Sequence, residues 1–207
     1  TEEGIRWESP WGLGRPGWHT ECCVMIDTIF PGDHIDIHGG GYDLKFPHHE
    51  NEIAQAEATH ESKIAHFWMH NAFINFGNEK MSKSLGNVVL AKDMIAQYSG
   101  LVTRLVILNA HYRQAVNFTE ETVKEAQQEA QKMQMAYKQA ALKLQSNKIN
   151  LEEGRPTYID KFIEALANDL NTANALAELY NVLKEVNQQI RTRDTDYKVL
   201  NDLFKTL

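Results

Sequence analysis

The chain of 207 residues can bury one hydrophobic core, or one core plus a small helical appendage. Hydrophobic residues make up 43% of the chain, but no apolar run approaches the roughly 20 residues needed to cross a bilayer. The first residues lack the features of a secretory signal. We therefore expect a cytoplasmic protein without a membrane anchor. The net charge of -7 argues against general coating of nucleic acid, and the adjacent Cys22 and Cys23 cannot build a disulfide framework.

A strand, a helix and a second strand are predicted between residues 34 and 76. HIDIH (34–38) and AFINF (72–76) are short β-prone runs bounded by glycine or polar turns. Residues 47–60 between them have the pattern of an amphipathic helix with proline in its first turn. This order predicts a parallel α/β unit.

Beyond residue 88 the sequence predicts helices. An apolar segment at 101–110 comes first, and Thr119, followed by Glu120 and Glu121, is a candidate N-cap of a long helix. Apolar residues recur in that helix at steps of three and four, which predicts a helix-packing seam without a catalytic role. These residues are Val123, Ala126, Ala130, Met133, Tyr137, Ala140 and Leu144.

A polar stretch with glycine and proline, 148–156, is the predicted linker before two further helices. The first covers residues 157–168. The second begins at a cap formed by Thr172 and turns an apolar face inward. That face consists of Leu176, Leu179, Tyr180, Leu183, Val186 and Ile190. The predicted domains are therefore 1–88 (α/β), 89–150 (connecting helices) and 151–207 (helical).

Eight of the nine histidines lie before residue 71, and two of them, His48 and His49, lie in the first turn of the predicted helix. His48 and Glu52 are four residues apart, so on a helix both side chains reach one ion, although such a pair alone is more often a surface hydrogen bond. Cys22 would add a thiolate, and sulfur, nitrogen and oxygen donors together favour zinc over magnesium or calcium. Cys23 is an alternative ligand that we assign to packing, because adjacent residues point to different faces.

Three ligands are compatible with two kinds of zinc site. One is a catalytic zinc with an open position, and the other is a site whose fourth ligand comes from outside these residues. The residues alone do not choose between them.

Two polar segments could contact phosphate. Residues 38–41, HGGG, are predicted to form a turn after a strand, where glycines allow backbone amides to approach a ligand, but they match no established phosphate motif. Asp43 could hold an ammonium group. The loop 80–84 carries two lysines suited to polyphosphate, although most such loops are only exposed turns.

Residues 80–84 spell KMSKS, an ATP-binding signature of class I aminoacyl-tRNA synthetases. The blocks GRPGWHTEC, DIHGGGYDLKFPHHENE and WMHNAF precede it, and together they resemble cysteinyl-tRNA synthetases. HYR (111–113) and DLNTANALAEL (169–179) resemble the helical region and the start of the DALR-type domain in that family. The resemblance covers nearly the whole chain.

The resemblance implies the second half of a Rossmann-like parallel-sheet catalytic domain, then a helical bundle and the start of a DALR-type domain. The family's His-x-Gly-His nucleotide motif and its fourth zinc ligand, a cysteine, have no counterpart in these residues. We therefore expect a middle portion of the enzyme that is inactive by itself, from a full-length protein that is a monomer.

The implied reaction is ATP-dependent ligation of cysteine to tRNA(Cys) through a cysteinyl-adenylate, with Mg²⁺ accompanying ATP. The implied zinc ligands, which select the substrate thiol, are Cys22, His48 and Glu52. The implied ATP-binding residues are Lys83, His38, Gly39 and Gly40, with Lys83 and Lys80 catalytic. The residues implied to contact cysteine are Trp18, Asp43 and His19.

Two alternatives have a different function. The cysteine ligase of mycothiol synthesis shares WHxEC, PHHE and KMSKS, but Asn51-Glu52 and residues 169–179 favour the synthetase. A non-catalytic zinc-binding module would usually close four nearby ligands within its own sequence, and this chain offers three.

Overall fold

The computed structural model describes residues 4–32, 35–60, 63–76, 79–80, 90–150 and 154–207. The chain divides into two compact units, Thr1–Ala72 and Phe73–Leu207. The domain boundaries at residues 88 and 150 stay a prediction. Within the described ranges, no helix combines the length and the apolar character needed to cross a membrane.

The first unit contains a hairpin, a helix and a parallel β-α-β segment. Its elements are β1 (Trp7–Ser9), β2 (Gly12–Gly14), α1 (Trp18–Ile29), β3 (Ile35–Gly41), α2 (Glu50–His60) and β4 (Ala65–Asn71). A 3-10 turn, Tyr42–Leu44, and a π-helical turn, Lys45–His49, join β3 to α2. β1 pairs antiparallel with β2, and β3 pairs parallel with β4.

The predicted strand-helix-strand order is confirmed, but the second strand was placed wrongly. β3 pairs with β4, seven residues before the predicted start at Ala72, in a register that sets His38 against Trp68 and Gly40 against His70. The prediction missed β4 because AHFWMHN mixes histidine and aromatic residues without period-2 alternation. Only Ile74–Phe76 of the predicted run is a strand, and it belongs to another sheet.

A small core holds α1 and α2 together in the first unit. It consists of Cys23, Ala56, Ile64 and Ala65, all less than 9% exposed. The thiol of Cys23 also lies 3.6 Å from the backbone carbonyl oxygen of Glu52. Because Cys23 anchors α1 to α2, its neighbour Cys22 is brought beside the start of α2.

In the part of the second unit that the structure describes, a small sheet is combined with six helices. Its elements are β5 (Ile74–Phe76), β6 (Glu79–Lys80), α3 (Ala91–Tyr98), α4 (Gly100–Leu108), β7 (Val116–Phe118), α5 (Glu120–Ser146), α6 (Ile159–Ala167), α7 (Thr172–Arg191) and α8 (Tyr197–Thr206). The sheet has the strand order β6-β5-β7, with β5 parallel to β7 and antiparallel to β6.

Two helix starts show how capping fixes these boundaries. Thr119 caps α5 as predicted: its hydroxyl accepts from the amide of Thr122, whose hydroxyl accepts from the amide of Thr119. The cap of α7 is Asn171, not Thr172, since the Asn171 side chain accepts from the amide of Asn174. The hydroxyl of Thr172 donates instead to the carbonyl oxygen of Ala110.

The predicted seam of α5 packs into two cores, one with α4 and α7 and one with α7 and α8. Most of its members are buried, but Tyr137 is 47% exposed and stacks on Phe204, while Ala136 is 1% exposed. An α-helix has 3.6 residues per turn, so over the 27 residues of α5 a strictly alternating spacing of three and four drifts around the helix. Ala136 therefore takes the inward position in place of Tyr137.

Candidate metal centre

Three potential metal ligands converge in the first unit. Cys22 lies on α1, His48 in the turn before α2, and Glu52 in the first turn of α2. The Sγ of Cys22 lies 3.7 Å from Nε2 of His48, and that nitrogen lies 2.8 Å from Oε1 of Glu52. One ligand atom from each residue lies within 4.8 Å of the other two. The three side chains can therefore reach one ion.

The Glu52 carboxylate is fully buried, at 0% exposure. Among the described residues, neither of its oxygens receives a hydrogen bond of good geometry, although Nε2 of His38 lies 2.7 Å from Oε2. Burying a carboxylate without a positive partner costs on the order of several kcal/mol, and His38 and His48, at 2.7 and 2.8 Å, supply a positive charge only when protonated. A metal cation between Glu52 and its neighbours would supply that charge.

The donor set fits zinc. Thiolate, imidazole and carboxylate are the three side-chain groups that bind zinc, and in a tetrahedral site two ligand atoms lie about 3.4–3.6 Å apart. The distance between Cys22 Sγ and His48 Nε2, 3.7 Å, agrees with this spacing, whereas the 2.8 Å between His48 and Glu52 would have to widen. Magnesium and calcium prefer oxygen ligands and suit this set poorly.

Both cysteine thiols favour the protonated form as long as no cation is near. Burial raises the pKa of the Cys22 thiol above its ordinary value, and the negative charge of Glu52 raises it further. The same two causes raise the pKa of Cys23 to about 11. A bound cation would reverse this preference for Cys22, because a coordinated thiol is deprotonated. Cys23 faces the core and keeps its packing role.

A cluster of aromatic and histidine rings supports the centre from the strand side. The Nδ1 of His49 lies 2.8 Å from Nε2 of His70 at the end of β4, and the rings of His38 and His49 are both about 5 Å from the Trp68 ring. Burial, followed by the charges of neighbouring histidines, lowers the pKa of His49 to about 4. His49 is therefore a neutral ring at physiological pH.

His38 has a supporting position next to the proposed ligands. The ligand atoms of His38, His49 and Glu52 also lie within 4.8 Å of one another, in a second group that shares Glu52 with the first. An imidazole beside a ligating carboxylate orients it. The family resemblance implied that His38 contacts ATP, and no role was predicted for His49, Trp68 or His70. The sequence signal that could have indicated this ring cluster was a histidine at the end of a strand.

Of the three residues predicted to contact the amino acid, Trp18 lies directly against this centre. The Trp18 ring stacks on the His48 ring with centroids 4.1 Å apart, and Trp18 is 60% exposed. His19 is the next residue of α1, and a Cβ on residue 17 would lie 2.6 Å from its ring, so a side chain there would displace the ring. Asp43 lies in the 3-10 turn after β3. Trp18 thus presents an open indole face beside a candidate ligand.

The HGGG segment is a strand and not the predicted turn. Residues 38–41 belong to β3 and pair with β4. A Cβ on Gly40 would lie 2.9 Å from both the His49 ring and the Leu44 side chain, whereas one on Gly39 would make an ordinary contact at 3.6 Å. The glycine at position 40 is therefore explained by packing of His49.

The structure describes one of the two predicted catalytic lysines. Lys80 ends β6, where its backbone pairs with Asn75. Lys83 lies outside the described residues.

Two protein-family models match the chain. The model of the tRNA synthetases class I (C) catalytic domain matches residues 1–128. The DALR domain model matches residues 161–207.

The chain is also similar to curated proteins named cysteine--tRNA ligase. It is 47% identical to that of Halalkalibacterium halodurans over its whole length, which is 46% of the relative. It is 48% identical to that of Shouchella clausii over 95% of the chain and 43% of the relative. The chain therefore spans about half the length of the curated relatives it matches.

Among solved structures, one match is the LeuRS of Agrobacterium radiobacter K84 in its ternary complex with tRNA and LeuAMS. It superposes with a TM-score of 0.73 at 13% sequence identity, and the match covers 97% of this chain and 31% of that one. A putative arginyl tRNA synthetase from Campylobacter jejuni gives 0.54 at 14% identity, over 94% and 50% of the two chains. These likenesses show the fold alone. The family model of the class I (C) catalytic domain matches more than half of the chain, so the chain belongs to the class I (C) tRNA synthetase family.

Proposed function

We propose that the protein containing this chain is a cytoplasmic cysteine--tRNA ligase that uses ATP with Mg²⁺ to join cysteine to tRNA(Cys). The observation that carries the proposal is the convergence of Cys22, His48 and Glu52 at a buried position in a class I (C) catalytic domain. The names of the curated relatives support the substrates.

The proposed resident metal is one zinc ion held by Cys22, His48 and Glu52. When bound, zinc supplies a soft Lewis-acid position for the sulfur of the substrate cysteine. A site that uses a specific contact rejects analogues lacking it by about 10⁴–10⁵, so the hydroxyl of serine would be refused without editing. Specificity is then set by the three ligands.

The neighbouring side chains orient the amino acid in this proposal. The exposed face of Trp18 would pack against the substrate, and the carboxylate of Asp43 would pair with its ammonium group. His19, next to Trp18 on α1, is the third proposed contact. His38, 2.7 Å from Glu52, would keep the carboxylate turned toward the metal position.

Two displacements make up the proposed reaction. A carboxylate oxygen of cysteine bonds to the α-phosphorus of ATP, and pyrophosphate leaves with the electron pair of the broken P–O bond. The hydroxyl of the tRNA's terminal ribose then bonds to the acyl carbon, loses its proton, and AMP leaves. Lys83 and Lys80 are the proposed cations that stabilise the charge on the leaving phosphates. The backbone of Gly39 and Gly40, with His38, is the proposed nucleotide contact.

The decisive experiment measures two activities of the full-length protein. Cysteine-dependent exchange of labelled pyrophosphate into ATP should occur, with serine at least 10⁴-fold poorer. Transfer of labelled cysteine to tRNA(Cys) should follow. No exchange with cysteine would disprove the proposal. Exchange without transfer to tRNA would favour a ligase that passes cysteine to another acceptor.

A further inference from the structure

β1 and β2 form a small hairpin that pairs with no other strand in the ranges the structure describes. Its register joins Trp7 to Gly14 and Ser9 to Gly12. A two-stranded hairpin on its own is at best marginally stable in water. A bound ligand would therefore stabilise it.

Two tryptophans of this hairpin are turned toward solvent. Trp11 in the turn is 93% exposed, and Trp7 on β1 is 51% exposed. Scattered single apolar residues are common on surfaces, but two indoles within five positions form a local apolar patch. The planar rings suit a planar partner.

The strand face that carries Trp7 is kept open by glycine. Side chains alternate along a strand, so Glu8 and its cross-strand neighbour Leu13 lie on one face, and Trp7 lies on the other opposite Gly14. A Cβ on Gly14 would meet no atom within 4 Å, and its φ angle does not require glycine. Neither packing nor backbone conformation explains this glycine. A ligand lying flat on Trp7 would explain it.

Cationic groups flank the aromatic patch. Exposed Arg6 and Arg15 lie one residue before β1 and one residue after β2, with Glu8 the single acid between them in the described part of the hairpin. Aromatic rings that stack on bases, combined with guanidinium groups that bind phosphates, form a surface for single-stranded nucleic acid.

The hairpin lies close in sequence to the proposed amino acid site. Trp18, which stacks on His48, follows Gly14 by four residues, and such a segment spans at most about 14 Å. In the proposed reaction the terminal ribose of the tRNA must reach this site. The nucleotides just before the terminus then pass within reach of the hairpin.

Building on the proposed function, we propose that the β1–β2 hairpin binds the unpaired 3′ end of the tRNA. Bases stack on Trp7 and Trp11, and Arg6 and Arg15 contact the adjacent phosphates. The hairpin thereby guides the terminal nucleotide toward the amino acid site.

Two variants of the full-length protein test this proposal. Trp11→Ala removes one stacking surface, and Gly14→Val places a branched side chain opposite Trp7, at a position where a Cβ would meet no atom within 4 Å. Each should raise the KM for tRNA by about 5- to 100-fold, as expected for loss of one stacked base, while cysteine-dependent pyrophosphate exchange stays unchanged. Trp11→Phe should retain most of the affinity. Leu142→Ala, which shortens another exposed apolar side chain, is the matched control.

Binding to shortened tRNA identifies the part of the RNA involved. With tRNA(Cys) lacking its unpaired 3′ nucleotides, wild type and Trp11→Ala should bind equally. An effect that persists on the shortened tRNA, or an unchanged KM on the intact one, would overturn the proposal. So would a parallel fall in exchange and melting temperature, which would show that Trp11 packs within the protein. Failure of the proposed function is a separate result, since it abolishes exchange in the wild type.

Discussion

The guanidinium of Arg113 donates two hydrogen bonds to the carboxylate of Asp169, at 2.8 and 3.3 Å. The phenol of Tyr112 donates a third, at 2.6 Å. Asp169 and Leu170 both have positive φ angles, of 54° and 52°, which L residues seldom adopt. The HYR segment therefore fixes the unusual backbone turn that leads into α7.

The Arg113–Asp169 pair makes stability depend on pH. The hydrogen bonds from Arg113 and Tyr112 hold the pKa of Asp169 below its ordinary value. The stabilisation is therefore present above the unfolded-state pKa and is lost as the pH falls through the lower pKa of the folded state. Asp169→Asn should lower the melting temperature at pH 7, and the difference from wild type should shrink toward pH 3.

Asparagine tolerates a positive φ, so Asp169→Asn removes the charge and leaves the backbone preference intact. The matched control is Asp160→Asn, which breaks the local, exposed pair of Asp160 with Arg155. Its effect should be smaller, because Asp160 has one local partner, whereas Asp169 accepts hydrogen bonds from both Arg113 and Tyr112. A difference between Asp169→Asn and wild type that is the same at pH 3 and pH 7 would contradict the electrostatic explanation.

Lys143 joins α5 to the end of α7. Its ammonium group donates to the carbonyl oxygens of Gln189, Ile190 and Thr192, at 2.9, 2.7 and 3.2 Å. These carbonyls lie at a helix C-terminus, where they lack intrahelical partners and favour a cation. Lys143→Met should destabilise the last turn of α7 by about 1–2 kcal/mol.

Hydrogen exchange measures this local effect. Amides at 188–192 should exchange about 5- to 30-fold faster in Lys143→Met than in wild type, which corresponds to about 1–2 kcal/mol. Lys132→Met, at an exposed position of the same helix, should leave them unchanged. Equal protection in both variants would exclude Lys143 as the cap of α7.

The local features of the fold and of the site could be predicted from the sequence. The i, i+4 spacing of His48 and Glu52 and the cap at Thr119 depend on neighbours within one helical turn, and the structure has both. The family resemblance, carried by motifs along nearly the whole chain, is likewise confirmed.

The features that could not be predicted depend on contacts between segments that are distant in the chain. The approach of His49 to His70 requires the parallel register of β3 and β4, and no local pattern of AHFWMHN gives that register. Helix α1 has no clear polar face: only Cys23 among its residues is buried, so its amphipathic period is faint. The position of Cys22 relative to Glu52 follows from that helix, so donor chemistry could name Cys22 as a possible ligand but could not place it beside Glu52.

Gly39 and Gly40 are adjacent in β3, and replacing each of them by alanine tests whether packing explains the glycine at position 40. Gly40→Ala should destabilise the protein by about 1–3 kcal/mol, because its Cβ would lie 2.9 Å from His49 and Leu44. Gly39→Ala has room at 3.6 Å and should cost less than Gly40→Ala. Thermal unfolding measures both. If both variants keep wild-type stability, the packing explanation for Gly40 is wrong.

The zinc ligands are tested by metal content. Cys22→Ser and His48→Ala should each lower the zinc retained by the full-length protein after dialysis against a weak chelator, because each removes a ligand of a site with few donors. His38→Ala should weaken zinc binding by about 10- to 100-fold, as the loss of a group that orients a ligand does. Cys23→Ser is the control: its thiol faces the core, so zinc should be retained although stability falls. Zinc content that is equal in Cys22→Ser and wild type would remove Cys22 from the site, and loss of zinc in Cys23→Ser alone would assign the thiolate to the other cysteine.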